Sequence, residues 1–201
     1  MSGDERRSQI LSVAIQLFSK HGFSGTTTKE IARQAGVSEA IIFRHFATKS
    51  ELYHAILDYK ACEGGLPKPL ELVGEAMAAK DDEKVFYTLM LNGLNKHERD
   101  PGFMRLLFHS ALEEHELAQM FIERNIVPVY EFLSGYIMQR QKEGAIRKDI
   151  KPRVIVRAFV GMMIHHALNG TLWDKNLRLL DISNEEAARS FIDILLNGIK
   201  K

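Results

Sequence analysis

Apolar residues recur along this chain at spacings of three and four, the period of a helix that buries one face. In residues 9–21 they fall at Ile10, Leu11, Ala14, Leu17 and Phe18, predicting a helix ended by Gly22 as a left-handed cap. Phe23 predicts a hydrophobic plug that folds back before the Ser24-Gly25 turn. Residues 27–51, TTKEIARQAGVSEAIIFRHFATKSE, predict two short helices, a glycine turn between them, and the capped start of a third. Thr27 with Glu30, and Thr48 with Glu51, have capping-box spacing. Ile31, Ala32 and Ala35 give the first short helix its apolar face, Gly36 permits a tight turn, and Ser38 can cap the next helix. There Ile41, Ile42 and Phe46 predict the inward side, leaving Glu39, Ala40 and Arg44 outward. Isolated helices under roughly 12 residues are marginal, so this pair must be held by tertiary packing. Small Ala32 and the turn at Gly36 let the two cross closely, as a helix-turn-helix does when it presents its second helix to a DNA major groove.

The pattern stays helical afterwards. A helix over 49–62 runs through Leu52, Tyr53, Ile56 and Leu57 to the GGLPKP punctuation at 64–69. That places a DNA-binding domain at 1–62, connecting helix 49–62 included, and a second helical domain at 63–201. Further helices are predicted over 70–79, 84–96, 103–112, 117–143, 152–173 and 184–199, with Pro101 and Pro152 in first-turn positions. Breaks fall at Asp81-Asp82, Asp100-Pro101-Gly102, His115, Gly144 and 174–183. Pro128 predicts a kink, or a fresh helix start near Ile126. The predicted fold is all-α, with nine to ten helices: an N-terminal three-helix unit containing the helix-turn-helix, then a C-terminal helical domain.

Composition adds little to this. Hydrophobic residues at 45% and charged residues at 26% are those of an ordinary globular chain. No stretch approaches the ~20 apolar residues of a membrane span, no signal-peptide segment opens the chain, and a lone Cys62 precludes an internal disulfide. The expectation is a cytoplasmic protein whose single thiol is inert. Net charge is +1, with +2 in the first 60 residues and −1 in the rest, which supports nucleic-acid binding only slightly. There is no phosphate-binding glycine loop, nucleophile elbow or metal-ligand spacing, so an enzyme is not expected, nor is a cofactor. His165 and His166 are adjacent and point about 100° apart on a helix, unsuited to sharing one metal ion.

Residues 6–57 resemble the tetracycline-repressor (TetR) family without a gap, carried by the 27–51 segment and the helix before it. The resemblance implies a homodimeric, ligand-responsive transcription factor, usually a repressor, binding a pseudo-palindromic operator. For base readout the candidates are Arg44 (a guanine edge, or equally a phosphate), Glu39 (cytosine N4, or simply the helix dipole) and Ala40 (a thymine methyl). Ser38 and Ile41 flank them. Thr27, Thr28 and Lys29 suit phosphates at a helix start. His45 and Lys49 stand where the family touches the backbone, and Arg6 with Arg7 reads as a flexible arm that does likewise. Two positions depart from the family. Phe43 replaces a tyrosine whose hydroxyl commonly meets a phosphate, and Ile41 replaces a small polar residue. A scaffold that keeps the motif for protein contacts is the competing reading.

For the effector, the resemblance directs attention to the second domain's supply of Met and aromatic side chains, which suits a small, largely hydrophobic ligand. Phe86, Met90, Phe108, Met120, Tyr130 and Met162 are candidate lining residues, with His109 and His165 for polar groups; core packing is the alternative for each. The homodimer is expected through 152–173 and 184–199. Val154, Ile155, Ala158, Phe159, Met162, His166 and Leu168 make the first apolar nearly all round, and Phe191, Ile192, Leu195 and Leu196 continue this on the second. Gly161, costing about 1 kcal/mol relative to Ala inside a helix, predicts close approach by a partner helix.

Overall fold

The computed structural model describes residues 2–62, 69–174 and 176–200. Its elements are α1 (Gly3–His21), α2 (Thr28–Ala35), α3 (Glu39–His45), α4 (Lys49–Cys62), α5 (Pro69–Ala78), α6 (Asp82–Arg99), α7 (Pro101–Leu112), α8 (Glu116–Phe121), α9 (Val127–Glu143), α10 (Pro152–Leu168) and α11 (Asn184–Ile199). Five-residue π-helical turns at Ile122–Ile126 and Asn169–Trp173 follow α8 and α10 directly. Counting unbroken helix, the described residues form ten runs, and the fold is all-α. No helix among them is long and apolar enough to cross a membrane.

The chain divides into two compact units, Met1–Leu66 with Pro101–Asn125, and Pro67–Asp100 with Ile126–Lys201. The predicted boundary at 64–69 lies outside the described residues except for Pro69. The first unit also contains α7 and α8, which the sequence reading assigned to the second domain. The reason is apolar burial: Leu106, Leu107 and Leu117 join Ile10, Leu11, Phe18, Ile31, Ile42, Tyr53 and Ile56 in one core. Periodicity shows that 103–112 is an apolar-faced helix, but not which core receives the face.

Local chemistry sets the helix ends. Helix α1 begins six residues earlier than predicted because Ser2 and Glu5 form a reciprocal capping box, each accepting the other's backbone N–H at 3.1 and 2.6 Å. Arg6 and Arg7 are therefore helical and not an arm. Arg6 donates to Gln9 Oε1 at 2.7 Å, and the Arg7 guanidinium lies 4.9 Å from the Phe46 ring centroid. Gly22 has positive φ as expected, but at φ 71°, ψ 179° it is not the left-handed cap predicted. A Cβ there would also come within 2.1 Å of Glu113 Oε1, so the glutamate side chain would have to move. At Pro128 the missing N–H and the ring crowd the preceding turn, and the helix widens into the π-turn before α9 instead of stopping.

The second unit packs Val85, Phe86, Met90 and Leu94 of α6 against Leu133 and Ile137 of α9, Ile155 and Phe159 of α10, and Ile192 and Leu195 of α11. One ionic cluster is sealed into this unit. Asp82, in the first turn of α6, accepts from Arg140 Nε at 2.8 Å and Nη2 at 3.2 Å, and from the Tyr136 hydroxyl at 2.6 Å. Arg140 Nη1 also donates to Glu143. Burial and the Asp82 carboxylate together push the Tyr136 phenol well above its ordinary range.

Three histidines link folding to pH. Burial is the main cause that lowers His97, His115 and His166 below the ordinary histidine value of 6.5. The unfolded chain therefore binds more protons than the folded one just below that value. The histidine contribution is complete above pH 6.5 and is lost as the pH falls through the lowered values. Thermal melts at constant ionic strength are expected to be flat from pH 7.5 to 6.5 and to fall by pH 5.5; an unchanged or higher melting temperature at pH 5.5 would contradict this.

Candidate nucleic-acid interface

Helices α2 and α3 are eight and seven residues long, and each depends on its termini and on the core. Thr27 Oγ1 accepts the Glu30 N–H at 3.1 Å and starts α2. Gly36 ends it at φ 65°, ψ 35°, a left-handed conformation suited to glycine, and its N–H reaches the Ala32 and Arg33 carbonyls. Val37 N–H closes the turn on Ala32 O at 3.0 Å. Ser38 is the N-cap residue of α3, but its hydroxyl makes no capping bond. Thr48 Oγ1 accepts from Glu51 N–H at 3.0 Å, and the Glu51 carboxylate returns to Ala47 N–H at 2.8 Å, one residue before the predicted partner.

Inside the unit, Ile42 and Phe46 of this segment are buried and Ile41 is partly buried against the core. At 100° per residue, Ala40 and Arg44 lie opposite Ile42, and both are exposed. Phe43 stands on the flank beside Ala40, with 47% of its surface exposed. Glu39 is half-buried, because Thr28 Oγ1 donates to its Oε1 at 2.6 Å. That bond ties the first turn of α2 to the first turn of α3 and occupies two candidates with each other. Lys29 is exposed at the start of α2, and His45 is half-buried with its ring 6.4 Å from Phe46. Thr27, Thr28, Lys29, Ser38 and Ala40 thus come from the adjoining first turns of the two helices, and Phe43 and Arg44 from the last turn of α3.

Lys49 is placed differently. Its ammonium donates to the Phe23 carbonyl and lies 4.1 Å from the Phe23 ring centroid. Burial lowers its pKa from the lysine value of 10.5, with Glu113 opposing. A phosphate contact would have to draw it from these partners. Phe23 is the predicted plug, with its ring 4.9 Å from Tyr53, 5.9 Å from Phe18 and 4.3 Å from His115. Glu113, which no sequence signal pointed to, accepts the Phe23 N–H at 2.9 Å across 90 residues of chain.

The effector candidates do not gather at one place. Phe86 and Met90 are sealed within the core of the second unit, and Tyr130 and Met162 are partly buried against it. His165 is exposed and contacts Asn169 and the Trp173 ring. Phe108, His109 and Met120 belong to the first unit. Two open clefts of about 190 and 460 Å³ on α6 and α11 are lined by Glu83, Tyr87, Arg189 and Ile192, and by Ser190, Asp193 and Lys200 among others. None of the predicted residues lines either one.

Residues 10–56 match the family model described as bacterial regulatory proteins, tetR family. The chain is 28% identical over 200 residues to the HTH-type transcriptional regulator AcrR of Shigella flexneri, spanning 96% of this chain and 88% of that protein. NalD of Pseudomonas aeruginosa, the secondary repressor of the MexAB-OprM multidrug efflux pump, aligns with a TM-score of 0.71 and 22% identity, covering 100% of this chain and 99% of NalD. SmeT, solved as a complex with triclosan, aligns with a TM-score of 0.68 and 16% identity, covering 98% of this chain and 92% of SmeT. At these identities the two solved structures speak for the fold.

Proposed function

We propose that the chain, which resembles the tetR family over residues 10–56 and AcrR over nearly its whole length, is a DNA-binding transcriptional regulator that acts as a homodimeric repressor released from its operator by a small hydrophobic ligand. The observation that carries this is the exposed face of α3, held by a capped and glycine-turned partner helix over a sealed core. Thr27, Thr28, Lys29, Ser38, Ala40, Phe43, Arg44 and His45 would meet DNA, and Ile41, Glu39 and Lys49 would support them from behind.

Dimerisation through α10 and α11 is supported by apolar surface on two sides of α10. Ile155, Val156 and Phe159 are buried within the chain, while Val154 is 55% exposed and Ala158 is exposed. A Cβ at Gly161 would meet nothing within 4 Å, so room exists for a second backbone on that side. Ile194 on α11 is 65% exposed. Two recognition helices related by a twofold axis would then read half-sites about 34–36 Å apart or somewhat wider.

The ligand reading draws on SmeT's complex with triclosan and on NalD's link to an efflux pump. With Phe86 and Met90 sealed, the ligand would have to open the second core, so its apparent affinity is reduced by the rarity of the open state. A near-complete switch needs about 5.5 kcal/mol of preference for the state that does not fit the operator.

Sedimentation of the full chain, alone and on DNA from upstream of its own gene, tests this directly. Two chains per duplex are expected, and small molecules extracted from the native protein should abolish the complex when added back. A single chain of 22.9 kDa that binds this DNA no better than a scrambled duplex would overturn the reading.

A further inference from the structure

We propose that the recognition face of this chain reads thymine 5-methyl groups, with Phe43 and Ala40 as the contact surface and Arg44 beside them for a polar edge. The inference rests on the regulator reading above and adds the chemical class that the face selects. Among the outward residues of α3, Glu39 was the sequence candidate for a cytosine amino group. Its carboxylate is instead held by the Thr28 hydroxyl at 2.6 Å, a bond that positions the two short helices against each other. Removing Glu39 from the reading set changes the chemistry of the face. What remains outward is a methyl side chain at Ala40, a half-exposed ring at Phe43 and one cation at Arg44.

Residues three apart on a helix are neighbours, so Ala40 and Phe43 make one continuous apolar surface. The ring has no hydroxyl for a phosphate, and burying it in water-filled groove gains only if apolar surface meets it. In the major groove the apolar group on a base edge is the thymine C5-methyl, and alanine and phenylalanine side chains are suited to it. Ile42 behind this surface is buried and Ile41 is partly packed, so the patch is backed by the core.

The test uses the full chain and a duplex selected from a random-sequence library, at one fixed salt concentration. Each symmetry-related pair of thymines is replaced by deoxyuridine, which keeps the pairing and removes the methyl. Losing one buried methyl is worth roughly fourfold in affinity, so a pair in two half-sites should cost about fifteenfold at one position or more. F43A should erase this difference between thymine and uracil at the position that Phe43 covers, and F43L should retain most of it. Circular dichroism checks that each variant is folded.

If thymine and uracil duplexes bind alike at every position while the selected sequence still outcompetes a scrambled one, the inference falls and the regulator reading stands. If the uracil penalty survives in F43A, the assignment to Phe43 is wrong. If selected and scrambled duplexes bind alike, both readings fall together.

Discussion

Asp82→Ala is expected to lower the melting temperature of the second unit by roughly 10 °C. The carboxylate takes three hydrogen bonds, two from Arg140 and one from Tyr136, and both ionic side chains are nearly inaccessible. Alanine would strand a buried guanidinium, and breaking a buried pair from one side costs about 3–5 kcal/mol. Glu143 remains as a partner for Nη1, which argues for the low end of that range. At about 2–4 °C per kcal/mol for a chain of this size, some 3 kcal/mol gives the stated shift. Removing both charges as Asp82→Leu with Arg140→Met strands no charge, leaves only the Tyr136 hydroxyl without its acceptor, and should recover much of the loss. Calorimetry resolves the outcome. A cost below about 1 kcal/mol for Asp82→Ala, typical of surface pairs, would show that the cluster is solvated.

Arg44→Ala is expected to weaken operator binding by about 1–3 kcal/mol per half-site if the guanidinium reads a base edge, hence roughly 30- to 20,000-fold for a symmetric dimer. Among the described residues no hydrogen bond or ion pair engages Arg44, so its removal costs the free protein little, and the loss should appear in binding. The two roles left open for this residue separate by their salt dependence. A base contact, once lost, relaxes sequence preference at one position. A phosphate contact, once lost, weakens all sequences alike and lowers the salt slope by about 1 per site. Fluorescence anisotropy on the selected and scrambled duplexes at two salt concentrations distinguishes them. Unchanged affinity for both would remove Arg44 from the interface.

Much of this architecture was legible in the sequence, because its determinants are local. Gly36, Thr27 and the Ile31-Ala32-Ala35 stripe fix α2 and its turn without help from distant residues, and α11 matches its predicted 184–199 span. The Ser2–Glu5 box is equally local but precedes the first apolar residue, so no hydrophobic period marks the helix it starts. What escaped was non-local. Glu113 gripping the Phe23 N–H, the Thr28–Glu39 bond and the Asp82–Arg140 pair join residues 90, 11 and 58 positions apart. No periodicity encodes such pairings. The same limit separated Phe108 and Met120 from Phe86 and Met90, since an apolar stripe does not name the core it enters.

In a dimeric regulator of this kind α3 would enter the major groove twice, once from each copy of the chain. Dimethyl sulfate modifies guanine N7 in that groove, so protection from it on the selected duplex reports the contact directly. Two symmetric clusters of protected guanines, about one helical turn apart or somewhat wider, are the predicted result. Full guanine reactivity under saturating protein, or a single unpaired cluster, would contradict it.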